Sequence, residues 1–239
     1  QVDLDNIPFY GLAEVTVGGR SCVISQTGFS GESGYEIYLR NATLYADDMW
    51  DAVLEAGKKH NLMVIAPAHH RRIQAGILSW GQDLDHEHNP FQCNLGYQVS
   101  LSGKGEWEKK GDYIGKQALE KMKADLKDGH KPYKLQLVGF EIGGKPIDEY
   151  APDFWLVSPG DGGDPCGFIT SPWYHPEKGK NIAMGYIPFD GTLNPNGFPK
   201  WELGKKFKVH LPDIYADEPG VPVDAVTVDV PFTESFNAN

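Results

Sequence analysis

Glu32 has the most distinctive chemical setting in the chain, enclosed by glycines in Thr27-Gly28-Phe29-Ser30-Gly31-Glu32-Ser33-Gly34. Its two carboxylate oxygens can accept parallel hydrogen bonds from a flat, guanidine-like edge. The same spacing suits a solvated loop carboxylate, and nothing in it separates the two readings. Arg72 is the second candidate. Near a helix start, a guanidinium can clamp a carboxylate, orient a neighbouring one, or form a structural ion pair with an acidic loop. Arg71 beside it faces another direction on a helix, so the two do different jobs. Phe29, Tyr35, Trp80, Trp173 and Tyr174 offer flat faces that can stack on a ring or attract a sulfonium or quaternary ammonium cation. With six tryptophans, eleven tyrosines and eleven phenylalanines in the chain, most aromatic residues must be packing.

Other chemistries are less well served. His69-His70 and His86-Glu87-His88 have metal-ligand types, but adjacent residues converge poorly on one ion and the second group lies in a polar loop, so no metal is expected. Asp83 and Asp85 are candidates for an acid–base pair; loop hydrogen bonding and a helix exit explain their position more simply. Ser30 and Ser79 lack a histidine arrangement for a hydrolase. Gly31 to Gly34 is too short for a dinucleotide loop.

The elements that position these residues follow from local patterns. Val15-Thr16-Val17, Gly18-Gly19 and Ser21 to Ser25 predict a hairpin, with β-branched strands and a glycine turn. Tyr35 to Leu39 alternates like a third strand. Thr43 to His60 carries apolar residues at helical spacing, with an end near Gly57. His69 to Leu78 predicts a shorter helix, with Pro67 near its first turn and the polar stretch Gly81 to Asn89 stopping it. Lys109-Lys110-Gly111 leads into a third helix over Lys116 to Leu126. Six candidate strands follow: Leu135 to Ile142, Phe154 to Val157, Gly167 to Thr170, Ile182 to Ile187, Phe207 to Leu211 and Val223 to Val230. With no helical period among them, they predict a small antiparallel barrel or sandwich. The fold class is therefore α+β, an α/β region over residues 1–130 followed by a β-barrel domain over residues 131–239.

Acidic residues outnumber basic ones by 33 to 22, which disfavours nucleic acid as a partner but leaves room for a local basic pocket. Cys22, Cys93 and Cys166 are dispersed and include no CxxC pair, which argues against a disulfide framework and for a reducing compartment. No apolar run is long enough to span a membrane, so the expected location is cytoplasmic.

Taken in order, the motifs resemble the glycine-cleavage T-protein (aminomethyltransferase) superfamily, most closely its dimethylsulfoniopropionate demethylase-like branch. The resemblance rests on Thr27 to Ile37, on Arg72 to Asp85, and on Asn89 to Leu95 with Tyr113 to Leu119. It continues through Cys166 to Ser171, Pro176, Ile182 to Tyr186 and Val230-Pro231-Phe232. Pro67-Ala68-His69-His70 departs from the glycine-cleavage branch, which carries an alanine-arginine-aspartate stretch there, and Gln74 replaces a glutamate. On this resemblance the chain corresponds to the later portion of the enzyme, with the catalytic aspartate in an earlier part; the catalytic residues are unknown.

The resemblance implies a transferase of one-carbon metabolism that uses tetrahydrofolate. The expected reaction moves a methyl group from a small sulfonium donor to N5 of tetrahydrofolate. Alternatives are a folate-dependent O- or N-demethylase of aromatic methyl ethers or methylated amines, an aminomethyltransferase, or a non-catalytic folate-binding protein. It further implies that Glu32, Arg72, Phe29, Tyr35 and Trp173 bind the folate, and that Trp80 and Tyr174 meet the methyl donor. An upstream domain or second polypeptide completing the site, and a homo-oligomer, are compatible with it.

Overall fold

The computed structural model describes residues 3–101 and 112–233. Lys109-Lys110-Gly111, expected to lead into the third helix, lie outside the described residues. The chain divides into two compact units, residues 3–72 and Ile73–Thr233 of those described.

The first unit is a three-stranded antiparallel sheet and a helix. Strands β1 (Leu12–Val17) and β2 (Arg20–Ser25) form the expected hairpin. Its turn residues Gly18 and Gly19 have φ of 54° and 79°, the left-handed pair that a two-residue hairpin turn requires and that glycine adopts without steric cost. Strand β3 (Glu36–Leu39) adds to the free edge of β2. Helix α1 (Ala42–Gly57) follows, and Met49 is its buried residue. Cys22 and Ile24 are buried on β2. Arg20 ties β2 to α1: its guanidinium bonds Asp48 at 2.7 Å and lies 4.0 Å from the centre of the Tyr45 ring.

Helix α2 (His69–Gln74) is shorter than the expected span to Leu78. It stops at the turn through Gly76, whose N–H bonds the Ile73 carbonyl at 2.9 Å and whose φ is 70°, so a glycine exit ends it before the polar stretch is reached. Helix α3 (Lys116–Lys127) matches its expected position.

The six predicted strands are all present: β4 (Leu135–Ile142), β5 (Trp155–Pro159), β6 (Gly167–His175), β7 (Lys180–Pro188), β8 (Lys206–Val209) and β9 (Val223–Val228). They close into a barrel in the order β4-β7-β6-β5-β8-β9, and every pairing is antiparallel. Alternation along a strand sends successive side chains to opposite faces. On β4, Val138, Phe140 and Ile142 join a buried cluster with Val157, Ile169, Phe207 and Val209. Leu137 joins a different cluster with Ile73, Ile182, Met184, Tyr186 and Phe232. Both faces of β4 and β7 are thus covered, which explains their nearly continuous apolar sequences.

Candidate functional site

The glycine-rich loop that carries Glu32 leaves β2 and enters β3. Ser25 and Thr27 share a hydroxyl contact at 2.6 Å, and Thr27 donates to the carboxylate of Glu36, so the loop is tied at its base to both strands. Gly31 has φ of 77°, which reverses the chain and sets Glu32 at the tip; the Glu32 N–H bonds the Ser30 hydroxyl at 3.2 Å. Phe29 and Tyr35 flank the tip, 51% and 39% exposed. The Tyr35 hydroxyl donates to the Leu4 carbonyl at 3.3 Å.

Glu32 meets Arg71 of α2: a guanidinium nitrogen lies 2.8 Å from a carboxylate oxygen, and both side chains are about half exposed. Arg72, the arginine singled out from sequence, is 1% exposed. Consecutive residues on a helix diverge by about 100°, so one guanidinium is turned to the loop and its neighbour inward. Sequence reasoning passed over Arg71. The pairing joins residues 39 positions apart, and no local pattern reports that. His70 stands below the ordinary imidazole range, because burial penalises its charged form and the positive charge of Arg71 adds to the effect.

Trp80, Trp173 and Tyr174 belong to the barrel unit. Trp80 is 62% exposed and meets His86 edge to face, ring centres 4.9 Å apart. Trp173 and Tyr174 are successive residues of β6 and face opposite sides of the barrel wall. Trp173 packs beside Ile182 and Met184, while the Tyr174 N–H bonds the Ile147 carbonyl at 2.7 Å.

The aspartate loop is organised around Asp83, 1% exposed. One carboxylate oxygen accepts the Ser79 N–H at 2.8 Å. The other accepts the hydroxyls of Thr170 at 2.5 Å and Ser171 at 2.6 Å. Tyr186 donates to the Asp83 carbonyl at 2.7 Å, and Gln82 donates to the Thr170 carbonyl at 2.8 Å. This is the loop hydrogen bonding expected for Asp83. Asp85 pairs with His88 at 2.7 Å; the Glu87 N–H and His88 hold it below the ordinary carboxylate range. Burial pushes the Cys93 thiol and the Tyr186 phenol up, and the two lie 3.4 Å apart. Both stay protonated at neutral pH.

Among the described residues, no group of three or more His, Cys, Asp and Glu side chains is placed to hold a metal ion. No helix among them is long and apolar enough to cross a membrane.

The fold thus defines an α+β chain with a closed six-stranded antiparallel barrel, and its candidate site is an acidic loop tip paired with a helix arginine. Residues 1–103 match the family model for the GCVT N-terminal domain. The chain is 31% identical over 191 residues to an aminomethyltransferase of Halothermothrix orenii, covering 79% of this chain and 48% of that protein. It is 32% identical over 202 residues to an aminomethyltransferase of Alkaliphilus oremlandii, covering 82% of this chain and 48% of that protein. The crystal structure of glycine cleavage system aminomethyltransferase T from Bartonella henselae superposes with a TM-score of 0.69 at 20% identity, over 98% of this chain and 55% of that one. The chain spans about half the length of the curated relatives it matches.

These findings correct two expectations. The resemblance is not confined to the later portion of the enzyme, because residues 1–103 match an N-terminal domain. Nor does the demethylase-like branch hold, because the relatives matched are aminomethyltransferases. The branch reading leaned on a few residues around Ala68, and a substitution in one helix turn says less about descent than similarity spread over a whole fold.

Proposed function

We propose that this chain is the folate-binding part of a tetrahydrofolate-dependent one-carbon transferase of the aminomethyltransferase type. The observation that carries the reading is its similarity to aminomethyltransferases along most of its length. In this reading residues 1–130 are the folate-binding region and residues 131–239 the barrel domain.

The chemistry of the Glu32 loop fits a pterin. A reduced pterin carries an amino group beside a ring N–H, and a carboxylate held at a loop tip accepts both. The exposed face of Phe29 on the same loop supplies a stacking surface, and Tyr35 closes the other flank. Arg72 supports the loop-facing helix from within. Tetrahydrofolate, when bound, supplies the nucleophilic nitrogen that takes up the one-carbon unit. The protein's part is to hold that acceptor in one orientation and to keep water from competing. The donor is an aminomethyl group, after the activity that names the relatives.

Titration of the full-length polypeptide with tetrahydrofolate, followed by tryptophan fluorescence, tests the reading. Saturable binding is expected, and Glu32→Gln should weaken it at least about ten-fold by removing a charge-assisted pair of bonds. Absence of uptake by the unaltered protein would overturn it.

A further inference from the structure

We infer that Arg71 and Glu32 act as one recognition edge, in which Arg71 reads the C4 oxygen of the heterocycle that Glu32 holds by its donors. The inference rests on the folate reading above and deepens it. A 2-amino-4-oxo heterocycle presents, in order, an amino donor, a ring N–H donor and a carbonyl acceptor. The Glu32 carboxylate can accept from both donors, and a guanidinium beside it has only donors to offer. In the structure the two groups lie 2.8 Å apart, on a loop tip and a helix, and each is about half exposed. An ion pair this exposed contributes little to stability, so ordering the fold is a poor account of it. Its exposure leaves both groups able to exchange part of their mutual contact for a ligand. Because the arginine is fixed to α2 and the glutamate to a loop tied at both strands, the sequence of acceptor and donor along the edge is preset.

A heterocycle with an amino group at C4 would turn a donor toward the guanidinium, and because its N3 carries no hydrogen it would also offer Glu32 one donor fewer. Sites built around a specific hydrogen-bonding group reject analogues that lack it far more strongly than apolar pockets reject a methylene. The pair therefore sets specificity for the 4-oxo form.

The test compares tetrahydrofolate with 4-amino-4-deoxytetrahydrofolate on the full-length polypeptide, by fluorescence titration. The unaltered protein is expected to prefer the 4-oxo compound by about ten-fold or more, the factor set by one charge-assisted hydrogen bond. Arg71→Met, which keeps an apolar stem of similar reach, should weaken 4-oxo binding by about that factor and leave 4-amino binding nearly unchanged, so that the preference shrinks by the same factor and only the share that Glu32 sets through N3–H remains; Arg71→Lys should restore part of the lost share. A purely structural arginine would weaken both ligands together. An Arg71→Met protein that keeps the full preference overturns this inference while leaving the Glu32 reading intact. An unaltered protein that binds neither compound defeats the folate reading itself.

Discussion

The hydroxyls of Thr170 and Ser171 converge on the same carboxylate oxygen of Asp83, at 2.5 and 2.6 Å. Neighbours on a regular strand point to opposite faces. Here the register of β6 against β7 shifts between Ile169 and Ser171, and the bulge re-aims the strand so that both side chains reach one acceptor. One oxygen of a buried carboxylate is thereby held by two hydroxyls of the same strand, and the loop carrying Trp80 is fastened to the barrel wall.

Asp83→Ala should destabilise the protein by about 3 kcal/mol or more, since it takes away an acceptor from the Ser79 N–H and from the Ser171 and Thr170 hydroxyls at once, of which Thr170 keeps the Met184 carbonyl. Ser171→Ala should cost about 1 kcal/mol, because the remaining bonds survive. Urea denaturation of both variants would check the ranking; equal effects would show that the carboxylate is not the hub.

Close approach of strands makes a second prediction. A Cβ on Gly167 would stand 2.0 Å from the Tyr186 carbonyl oxygen, a backbone atom that cannot swing aside. Gly167→Ala should therefore force β6 and β7 apart and cost several kcal/mol, of the order seen for overpacking or more. Gly34→Ala, where a Cβ meets nothing within 4 Å, should lie within about 0.5 kcal/mol of the parent. Thermal melts of the two variants side by side would measure the contrast.

His175 gives the protein a pH dependence of known sign. It is 1% exposed, and burial, with the charge of Lys178 second, lowers its pKa below the ordinary value of 6.5. The unfolded chain therefore binds the proton more readily than the folded one once the pH falls past about 6.5. Stability should be fully present above that point and decline as the pH falls toward the lowered folded value. His175→Gln should flatten this part of the profile. Denaturation midpoints between about pH 5 and 8 would show it, and an unchanged slope in the variant would assign the dependence elsewhere, to His70 first.

Much of the fold was legible because its causes are local. Gly18-Gly19 between β-branched runs specifies a hairpin through φ alone. Apolar spacing specifies α1 and α3, and strand after strand with no helical period specifies an all-β second half. The misjudged end of α2 has a local cause as well: Gly76 adopts a left-handed φ, and a glycine in an apolar helical pattern does not announce whether it will be tolerated or will terminate. The candidate site was legible only in part. The glycines around Glu32 mark a loop whose tip must be polar, but its partner lies 39 residues on.

By itself, the sequence determined the types and approximate limits of the elements and the exposed acidic loop, because backbone preference and side-chain periodicity act over a few residues. The tertiary structure alone decided the barrel order, the bulge that brings Thr170 and Ser171 to one oxygen, and the choice of Arg71 over Arg72 to face Glu32. Those depend on chain closure and on which helix face the core claims, and such long-range contacts are set by the packing of the whole chain.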